Sequence, residues 1–403
     1  MSGACVRQVD GPLAPFAAEL WEALIASGYS TQRARQLMGL MDEASRWLGA
    51  GGMDADGLTG EVIEKFFARR DPSRSRCRTA LSLRPIVGYL RSIGVVAAAP
   101  SLAPGRTVLE VELLDCYRRW CVAQRGLTST TADEYVRRVA VFLALWRPDT
   151  PAVVADLDGA AVIATIRAAV DAMGSPSLRC MVTALRSFLR FLHATGRTAT
   201  SLVAAVPALK TWPRTALPLV LSADDARRLV AGCDSTTSRG RRDVAIVLVL
   251  LRVGLRASEV ARLALDDIDW RGGVMTIKGK GGRRDQLPLP AEVGEAIAAY
   301  LSEGRPTSPH RSVFLTATAP IRPLSADAVA SLVYRACARA GVGRVGPHAL
   351  RRTLATETLR AGAPMAEVAQ LLRHVDQATS SIYAAADVAA VAALAQPWPE
   401  VQG

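Results

Sequence analysis

Two proline-rich segments divide the chain and limit how it can fold. The first covers residues 97–105 and the second covers residues 205–219. Because proline disfavours the continuation of a helix, both segments are predicted to be linkers. We therefore expect an extra helical module over residues 1–104, a second helical module over residues 105–205, a linker over residues 206–218 and a last domain over residues 219–403.

The two modules before the second linker share an order of sequence features. Each has a turn, a helix that closes on a tryptophan, an acidic helix start, and an arginine-bearing helix that ends at a glycine. Trp47 and Gly94 mark the first module, and Trp146 and Gly196 mark the second. We interpret them as two copies of one all-helical fold, with chance similarity between helices of like composition as the alternative.

The charge of the chain favours a polyanionic partner. Its formal net charge is +12, and nearly all of its basic residues are arginine. A basic surplus suits nucleic acid, although a solubilising surface is the alternative explanation. The helix predicted over residues 177–195 carries Arg179, Arg186 and Arg190, which could lie along DNA phosphates or simply face solvent.

Cysteine and hydropathy patterns bear on the compartment. None of the seven cysteines forms a C-x-x-C pair, and the four histidines do not bracket cysteine pairs. This pattern predicts reduced thiols in the cytoplasm and no metal site. The N-terminal sequence lacks the pattern of a signal peptide, and the longest aliphatic run, residues 244–251, is too short to span a bilayer. We expect a cytoplasmic protein with no membrane partner.

The last domain is predicted to be mainly α with a small antiparallel β-sheet. In residues 273–289, a β-branched run, a glycine-rich turn and a second apolar run predict a strand-turn-strand unit. Apolar periodicity and capping residues predict the helices. They lie near residues 222–232, 241–253, 258–264, 291–302, 325–340, 348–361 and 365–372, with another across Tyr383.

Four short segments of the last domain carry residues suited to phosphate chemistry. They are Gly254-Leu-Arg-Ala-Ser-Glu259, Ile277-Lys-Gly-Lys-Gly281, His348-Ala-Leu-Arg351, and Leu371-Leu-Arg-His374 followed by Ser381-Ile-Tyr383. In this order they resemble the signature of the tyrosine recombinase or phage integrase family, with spacings like those of its Xer-type members. The resemblance covers residues 219–390, and residues 108–200 as the helical core-binding domain. It implies a DNA breaking-rejoining fold for the last domain and a SAM-like DNA-binding fold for residues 105–205.

The resemblance implies a nucleophile and an acid. Tyr383 would attack a DNA phosphodiester and leave a 3′-phosphotyrosine and a free 5′ hydroxyl. Lys280, in the glycine-rich turn, would protonate the leaving 5′ oxygen. Attack makes the phosphoryl centre more negative, so catalysis also needs hydrogen-bond donors and a route for the phenol proton. Side chains alone can meet these needs, so no metal, cofactor or ATP is expected.

The remaining catalytic residues implied by the resemblance bind the phosphate or move protons. Arg256 and Arg351 would clamp the scissile phosphate, because a guanidinium donates two parallel hydrogen bonds. His348 would shuttle a proton, since imidazole titrates near neutral pH. His374 would contact the scissile phosphate. Apart from the resemblance, Glu259 lies one helical turn after Arg256 and could orient it.

The sequence departs from the family pattern beside three of these residues. Lys278 lies close to Lys280 and is the alternative choice for the acid. Arg352 stands where many members of the family have histidine. Arg373 stands where glycine is usual before His374, which predicts a different local turn.

The partners implied are double-stranded DNA with specific core sites and further copies of the chain, two on each core site and four in a complex of paired sites. Other recombinases or accessory DNA-bending proteins are further expected partners, and residues 1–104 could bind either extra DNA sites or such proteins. A DNA-binding accessory protein with weak catalysis, a type IB topoisomerase-like enzyme and, least favoured, a metal-dependent transposase are the alternatives. Integration, excision, dimer resolution and transposition all share this chemistry, so an integrase or transposase of a mobile genetic element is expected without a choice among them.

Overall fold

The computed structural model describes residues 8–69, 79–96, 108–147, 154–172, 175–208, 219–279 and 283–373. The chain divides into two compact units. One comprises Met1–Val96 together with Arg214–Gly403, and the other comprises Ala97–Pro213. The N-terminal module and the last domain therefore belong to one unit, although each has its own hydrophobic core.

The N-terminal module is helical throughout its described residues. Its helices are α1 (Ala17–Ala26), α2 (Thr31–Ala50), α3 (Gly60–Arg69) and α4 (Arg84–Ser92). Helix α2 begins after Ser30 because the Ser30 hydroxyl accepts a hydrogen bond from the Arg33 backbone N–H at 3.2 Å. Leu20, Leu37 and Leu90 come from three of these helices and are buried in one core.

The second unit repeats this order of elements. Its helices are α5 (Val108–Ala123), α6 (Ser129–Trp146), α7 (Gly159–Ala172) and α8 (Ser175–Ala194). Helix α6 is capped by Thr128, as α2 is capped by Ser30, and a short 3-10 turn follows each of these two helices. On α8, Arg186 donates a hydrogen bond to the carbonyl of Pro207 at 2.9 Å. Arg186 therefore holds the following segment against α8.

The last domain has the helices that the sequence predicts, with ends that differ by a few residues. They are α9 (Ala223–Ala231), α10 (Ser238–Leu248), α11 (Ala257–Arg262), α12 (Ala291–Glu303), α13 (Ala326–Ala340), α14 (Pro347–Arg360) and α15 (Met365–Leu371). A π-helical turn, Val249–Val253, continues α10. The helix predicted across Tyr383 lies outside the described residues.

One small antiparallel sheet, in the order β1-β2-β3, completes the described part of the last domain. The strands are β1 (Ile268–Asp269), β2 (Val274–Lys278) and β3 (Arg284–Pro288). Met275 pairs with Leu287, and both side chains are buried. The predicted fold class, mainly α with a small antiparallel sheet, is confirmed. Strand β1 was not predicted, because a strand of two residues is too short to show an alternation of apolar and polar side chains.

Within the first unit, the N-terminal module contacts a loop of the last domain at residues 316–323. The Ile321 N–H donates to the Ser27 carbonyl at 2.8 Å. Gly28 has a φ of +82°, and a Cβ on it would lie 2.5 Å from Ile321 Cγ1. Pro320 lines a cavity of about 380 Å³ together with residues of α1 and α4. Only glycine at position 28 allows this close approach.

In the part of the chain that the structure describes, every helix is too short or too polar to cross a bilayer.

Candidate active site

Arg256 stands at the start of α11, directly after a sharp turn. The chain leaves the π-helical turn through Gly254, whose φ of +66° is left-handed. A Cβ on Gly254 would lie 2.9 Å from Leu354 Cδ2 and 3.2 Å from Leu372 Cδ2. The motif Gly254-Leu-Arg therefore needs glycine both for its backbone angle and for close packing, and this turn places Arg256 as the N-cap residue of α11.

Glu259 holds Arg256 in place from within the same helix. Its carboxylate accepts the Arg256 backbone N–H at 2.8 Å and the Arg256 Nη1 at 2.7 Å. The Glu259 side chain is only 3% exposed, whereas that of Arg256 is 39% exposed. The buried carboxylate thus orients a guanidinium that solvent, or a ligand, can reach. The expectation that Glu259 would orient Arg256 agrees with this geometry.

The charge of Glu259 is stabilised although the group is buried. Burial works to raise the pKa of this carboxyl, but the Arg256 backbone N–H and the guanidinium groups of Arg373 and Arg256 outweigh it. The pKa of Glu259 therefore lies below its ordinary value, and the side chain is ionised at neutral pH.

Arg351 is buried on α14 and connects two turns of the site. Its Nη1 donates to the Gly254 carbonyl, and its Nη2 donates to the Leu372 carbonyl. Gly254 lies in the turn before Arg256, and Leu372 is the C-cap residue of α15, immediately before Arg373. Arg351 thus fixes the backbone on both sides of the site and contributes a buried positive charge.

His348 lies in the first turn of α14, one helical turn before Arg351, and is exposed. Partial desolvation lowers the pKa of its imidazole, and the positive charges of Arg352, Arg351 and Arg256 lower it further. The ring is therefore neutral at neutral pH and able to accept a proton. Arg256 lies near enough to His348 for its charge to lower the pKa of the imidazole, although 92 residues separate the two in sequence.

The β2–β3 hairpin brings Lys278 to the edge of this region. Lys278 ends β2, and its Nζ lies 2.8 Å from Oδ1 of Asp267, a buried residue. The Gly279 N–H donates to the Arg283 carbonyl at 2.7 Å, so these two residues close the base of the glycine-rich turn. Lys280, His374 and Tyr383 lie outside the described residues. The structure therefore brings together Arg256, His348 and Arg351, and their arrangement with the other three stays a prediction.

Arg373 is part of the site, although the sequence indicated only a departure from the usual glycine. Its Nη2 donates to Glu259 Oε2 at 2.8 Å. It also lines a cavity of about 820 Å³ between α15 and the β2–β3 hairpin. The sequence signal was the arginine itself at a glycine position, but its partner, 114 residues away, could not be read from the sequence.

The described residues contain no group of three His, Cys, Asp or Glu side chains that could hold a metal ion.

Comparison with known proteins identifies the family. Residues 220–389 match the model of the phage integrase family. An integrase/recombinase of Sinorhizobium fredii, y4rA, is 35% identical over 98% of this chain and 96% of its own length. The tyrosine recombinase XerD of Listeria innocua is 27% identical over 68% of this chain and 93% of its own length.

Solved structures share the fold at low sequence identity. The XerH site-specific recombinase, in a post-cleavage complex with a palindromic difH substrate, has a TM-score of 0.55 at 17% identity and covers 74% of this chain and 92% of its own. A lambda integrase dimer bound to a core site has a TM-score of 0.53 at 20% identity. The match covers 72% of this chain and 98% of the lambda integrase chain. The full-length match to an integrase/recombinase, the family model and the shared fold lead to one conclusion: the chain belongs to the phage integrase family of tyrosine recombinases, enzymes that break and rejoin DNA.

Proposed function

We propose that the chain is a site-specific recombinase that exchanges DNA strands through a covalent 3′-phosphotyrosine at Tyr383. The phenol oxygen would bond to phosphorus while the bond from phosphorus to the 5′ oxygen breaks. One phosphoester replaces another, so the bond energy is retained and religation needs no ATP. The 5′ hydroxyl of a partner strand would then attack the phosphotyrosine and release the enzyme.

The observation that carries this proposal is the convergence of Arg256, Arg351 and His348 from separate segments of the chain. Arg256 offers a partly exposed guanidinium, which suits contact with a non-bridging phosphate oxygen. Arg351 would supply a second positive charge from behind it, while two of its N–H groups hold the backbone. Positive charge at the point where negative charge develops is the main source of catalysis in phosphoryl transfer.

The proton transfers are assigned to Tyr383, His348 and Lys280. The Tyr383 phenol, with an ordinary pKa of about 10, must lose its proton as it attacks. In the resting site, the surrounding arginines keep His348 neutral, so it can receive that proton. The negative charge that builds on the phosphate during attack would then stabilise the imidazolium that forms. Lys280 would protonate the 5′ oxygen, and His374 would contact the phosphate.

Double-stranded DNA core sites and further copies of the chain are the proposed partners. Lambda integrase is known as a tetramer bound to a Holliday junction, and XerH is known bound to difH. By similarity, we propose two protomers on each core site and four in the complex of paired sites, acting on nucleoid DNA in the cytoplasm. Other recombinases or DNA-bending proteins would set the direction, and the reaction would integrate or transpose a mobile genetic element.

We propose that residues 105–205 form the core-binding domain and that residues 1–104 are a duplicate of its fold, separated by the linker 206–218 from the catalytic domain over residues 219–403. The shared order of a capped helix, a 3-10 turn and further helices supports the duplication. The first module would bind either additional DNA sites or partner recombinases. Deletion of residues 1–104, followed by footprinting on long attachment DNA and on core sites alone, separates these two roles.

A covalent-capture experiment tests the proposed chemistry. A pool of nicked suicide duplexes with randomised sequence is incubated with the full chain in EDTA, and covalent adducts are recovered under denaturing conditions. Sequencing of the trapped DNA gives the core site, and peptide mapping gives the attached residue. We expect adducts at Tyr383, and no adduct with Tyr383→Phe.

The same experiment separates the alternatives. Equal adduct formation by wild type and Tyr383→Phe would refute the proposal. A chain that binds DNA without forming any adduct would be the weakly catalytic accessory protein. Relaxation of supercoiled plasmids that lack the recovered site would instead indicate a topoisomerase-like enzyme.

A further inference from the structure

Arg373 occupies a backbone conformation that does not suit arginine. It follows α15 and has a φ of +53°. Among the residues that the structure describes, every other residue with a positive φ is a glycine. Left-handed backbone is unfavourable for a residue with a Cβ, and glycine adopts it readily. An arginine in this conformation indicates that interactions of its side chain outweigh the backbone strain.

The Arg373 side chain is buried and only partly paired. It is 5% exposed, and its Nη2 donates to Glu259 Oε2 at 2.8 Å. Its Nε and Nη1 are buried and, within the described part of the chain, have no hydrogen-bond partner. Burial of a cation with two unused donors is costly, so this arginine does not simply improve the packing of the core.

Glu259 is shared between Arg373 and Arg256. One carboxylate oxygen, Oε2, accepts both the Arg373 Nη2 and the Arg256 backbone N–H, and the other, Oε1, accepts the Arg256 Nη1. The bond from Arg373 therefore adds a third donor that helps to fix the plane of the carboxylate, and with it the direction of the Arg256 side chain. Without Arg373, the carboxylate would be held by the two donors of Arg256 alone, so nothing outside α11 would fix the direction of the pair.

The charge balance also depends on Arg373. A single carboxylate paired with Arg256 alone would offset most of the positive charge that should attract a phosphate. With Arg373 as the second partner, the three side chains together carry one net positive charge. The pKa of the Glu259 carboxyl is held below its usual value partly by the Arg373 charge, which agrees with a shared ion pair.

We propose that Arg373 is a positioning residue for DNA cleavage, which acts through Glu259 to orient Arg256 and to preserve its net positive charge. The inference rests on the proposed cleavage chemistry and adds to it a residue outside the six catalytic ones. Arg373 replaces the glycine that is usual at this position, so this chain is inferred to depend on an ion-pair bridge that members with glycine do not have.

The test is a double-mutant cycle in the full chain. Single-turnover adduct formation on a nicked suicide duplex is measured at saturating DNA for wild type, Arg373→Met, Glu259→Gln and the double variant, and DNA affinity is measured separately. We expect Arg373→Met to lower the cleavage rate about 10- to 100-fold, as is typical when the partner of a site residue is lost, with little change in affinity. In the Glu259→Gln background, the same change should lower the rate by no more than about two- to threefold, because coupled residues are not additive.

Two further variants separate positioning from folding. Arg373→Gly suits the left-handed backbone and should fold at least as well as Arg373→Met by thermal unfolding, yet cleave as slowly. Arg373→Lys keeps the charge and should recover part of the rate. Arg311→Met is the matched control, because Arg311 is 65% exposed and pairs with Asp266 away from Glu259, and it should leave the rate unchanged.

The outcomes decide the inference separately from the proposed function. Wild-type cleavage by a folded Arg373→Gly variant would overturn the inference. An equal rate loss for Arg373→Met with and without Glu259 would also overturn it and would indicate a direct contact from Arg373 to DNA. Absence of an adduct with wild type would instead refute the proposed cleavage chemistry.

Discussion

Single residues in this site act through charge. Glu259 is a buried carboxylate that accepts hydrogen bonds from two arginines, and His348 is an imidazole whose pKa is lowered by three arginines. The arginines keep Glu259 ionised and His348 neutral, because each favours negative charge and disfavours further positive charge nearby. A phosphate would meet favourable charge at such a site, as the proposed chemistry requires.

The first prediction concerns the pH dependence of cleavage. Because the pKa of His348 lies below its ordinary value of about 6.5, the cleavage rate should stay level as pH falls from 8 to about 6.5 and decrease only below it, where the imidazole becomes protonated. Arg352→Gln removes one positive charge, so the pKa of His348 rises and the decrease begins at higher pH. Single-turnover adduct formation across this pH range measures both profiles. His348→Gln should remove the inflection, and an unchanged inflection in Arg352→Gln would contradict the assignment.

The second prediction separates the two lysines of the β2–β3 hairpin. The Lys278 ammonium is held by Asp267, so Lys278→Met should leave cleavage within about threefold of wild type. It should lower stability by about 1–3 kcal/mol, because the buried Asp267 carboxylate loses its cation. Lys280→Met should lower cleavage by about 100-fold or more, in the range of a lost general acid. A substrate with sulfur in place of the 5′ bridging oxygen needs no acid, because a thiolate is a good leaving group. It should rescue Lys280→Met, and failure of that rescue would count against Lys280 as the acid.

At the scale of elements, the site is assembled where helices begin and end. Arg256 caps α11, His348 lies in the first turn of α14, and Arg373 follows the end of α15. Arg351 bonds to carbonyls in two of these turns and so fixes their separation. The turns between elements, more than the helices themselves, therefore determine the geometry of the site.

The third prediction tests the turn before Arg256. Gly254→Ala places a Cβ 2.9 Å from Leu354 Cδ2 at a positive φ, so we expect a loss of about 1–3 kcal/mol in the free energy of unfolding and slower cleavage as Arg256 shifts. Gly273→Ala is the matched control, because Gly273 also has a positive φ but nothing lies within 4 Å of its Cβ position. Urea unfolding of both variants, with cleavage assays, measures the difference. Equal losses in the two variants would show that packing against Leu354 does not matter.

At the scale of the whole molecule, the chain forms two compact units, and the first unit combines the N-terminal module with the last domain. The contact between these two parts centres on Ile321, whose N–H donates to the Ser27 carbonyl. The N-terminal module is therefore held against the loop at residues 316–323 of the last domain.

The fourth prediction tests this contact. Gly28→Ala places a Cβ 2.5 Å from Ile321 Cγ1, so the loop at residues 316–323 should separate from the module and its amides should exchange hydrogen faster. Gly52→Ala in the same module is the control, since Gly52 also has a positive φ but its Cβ would meet nothing within 4 Å. Hydrogen exchange of the Ile321 peptide, followed by mass spectrometry, gives the answer. Unchanged exchange in Gly28→Ala would mean that the contact does not protect the loop in solution.

The sequence by itself determined the features that depend on local spacing. Helical periodicity and capping residues predicted the helices of the last domain, and the glycine-rich turn predicted the β2–β3 hairpin, because these patterns are written within a few consecutive residues. The order of the short motifs resembles a family signature, and that resemblance implied that Arg256, His348 and Arg351 act together, which stays a prediction. The two-residue strand β1 was missed, since a strand that short has no readable alternation.

Only the tertiary structure decided which distant residues meet. The bonds of Arg373 to Glu259 and of Arg351 to Gly254 join residues 114 and 97 positions apart, and the Ile321 contact joins the last domain to the first module. No local period encodes such pairs, because they depend on how the helices pack and where each turn ends. For the same reason, an arginine in place of glycine was visible at position 373 in the sequence, but its role became interpretable only once its partner was known.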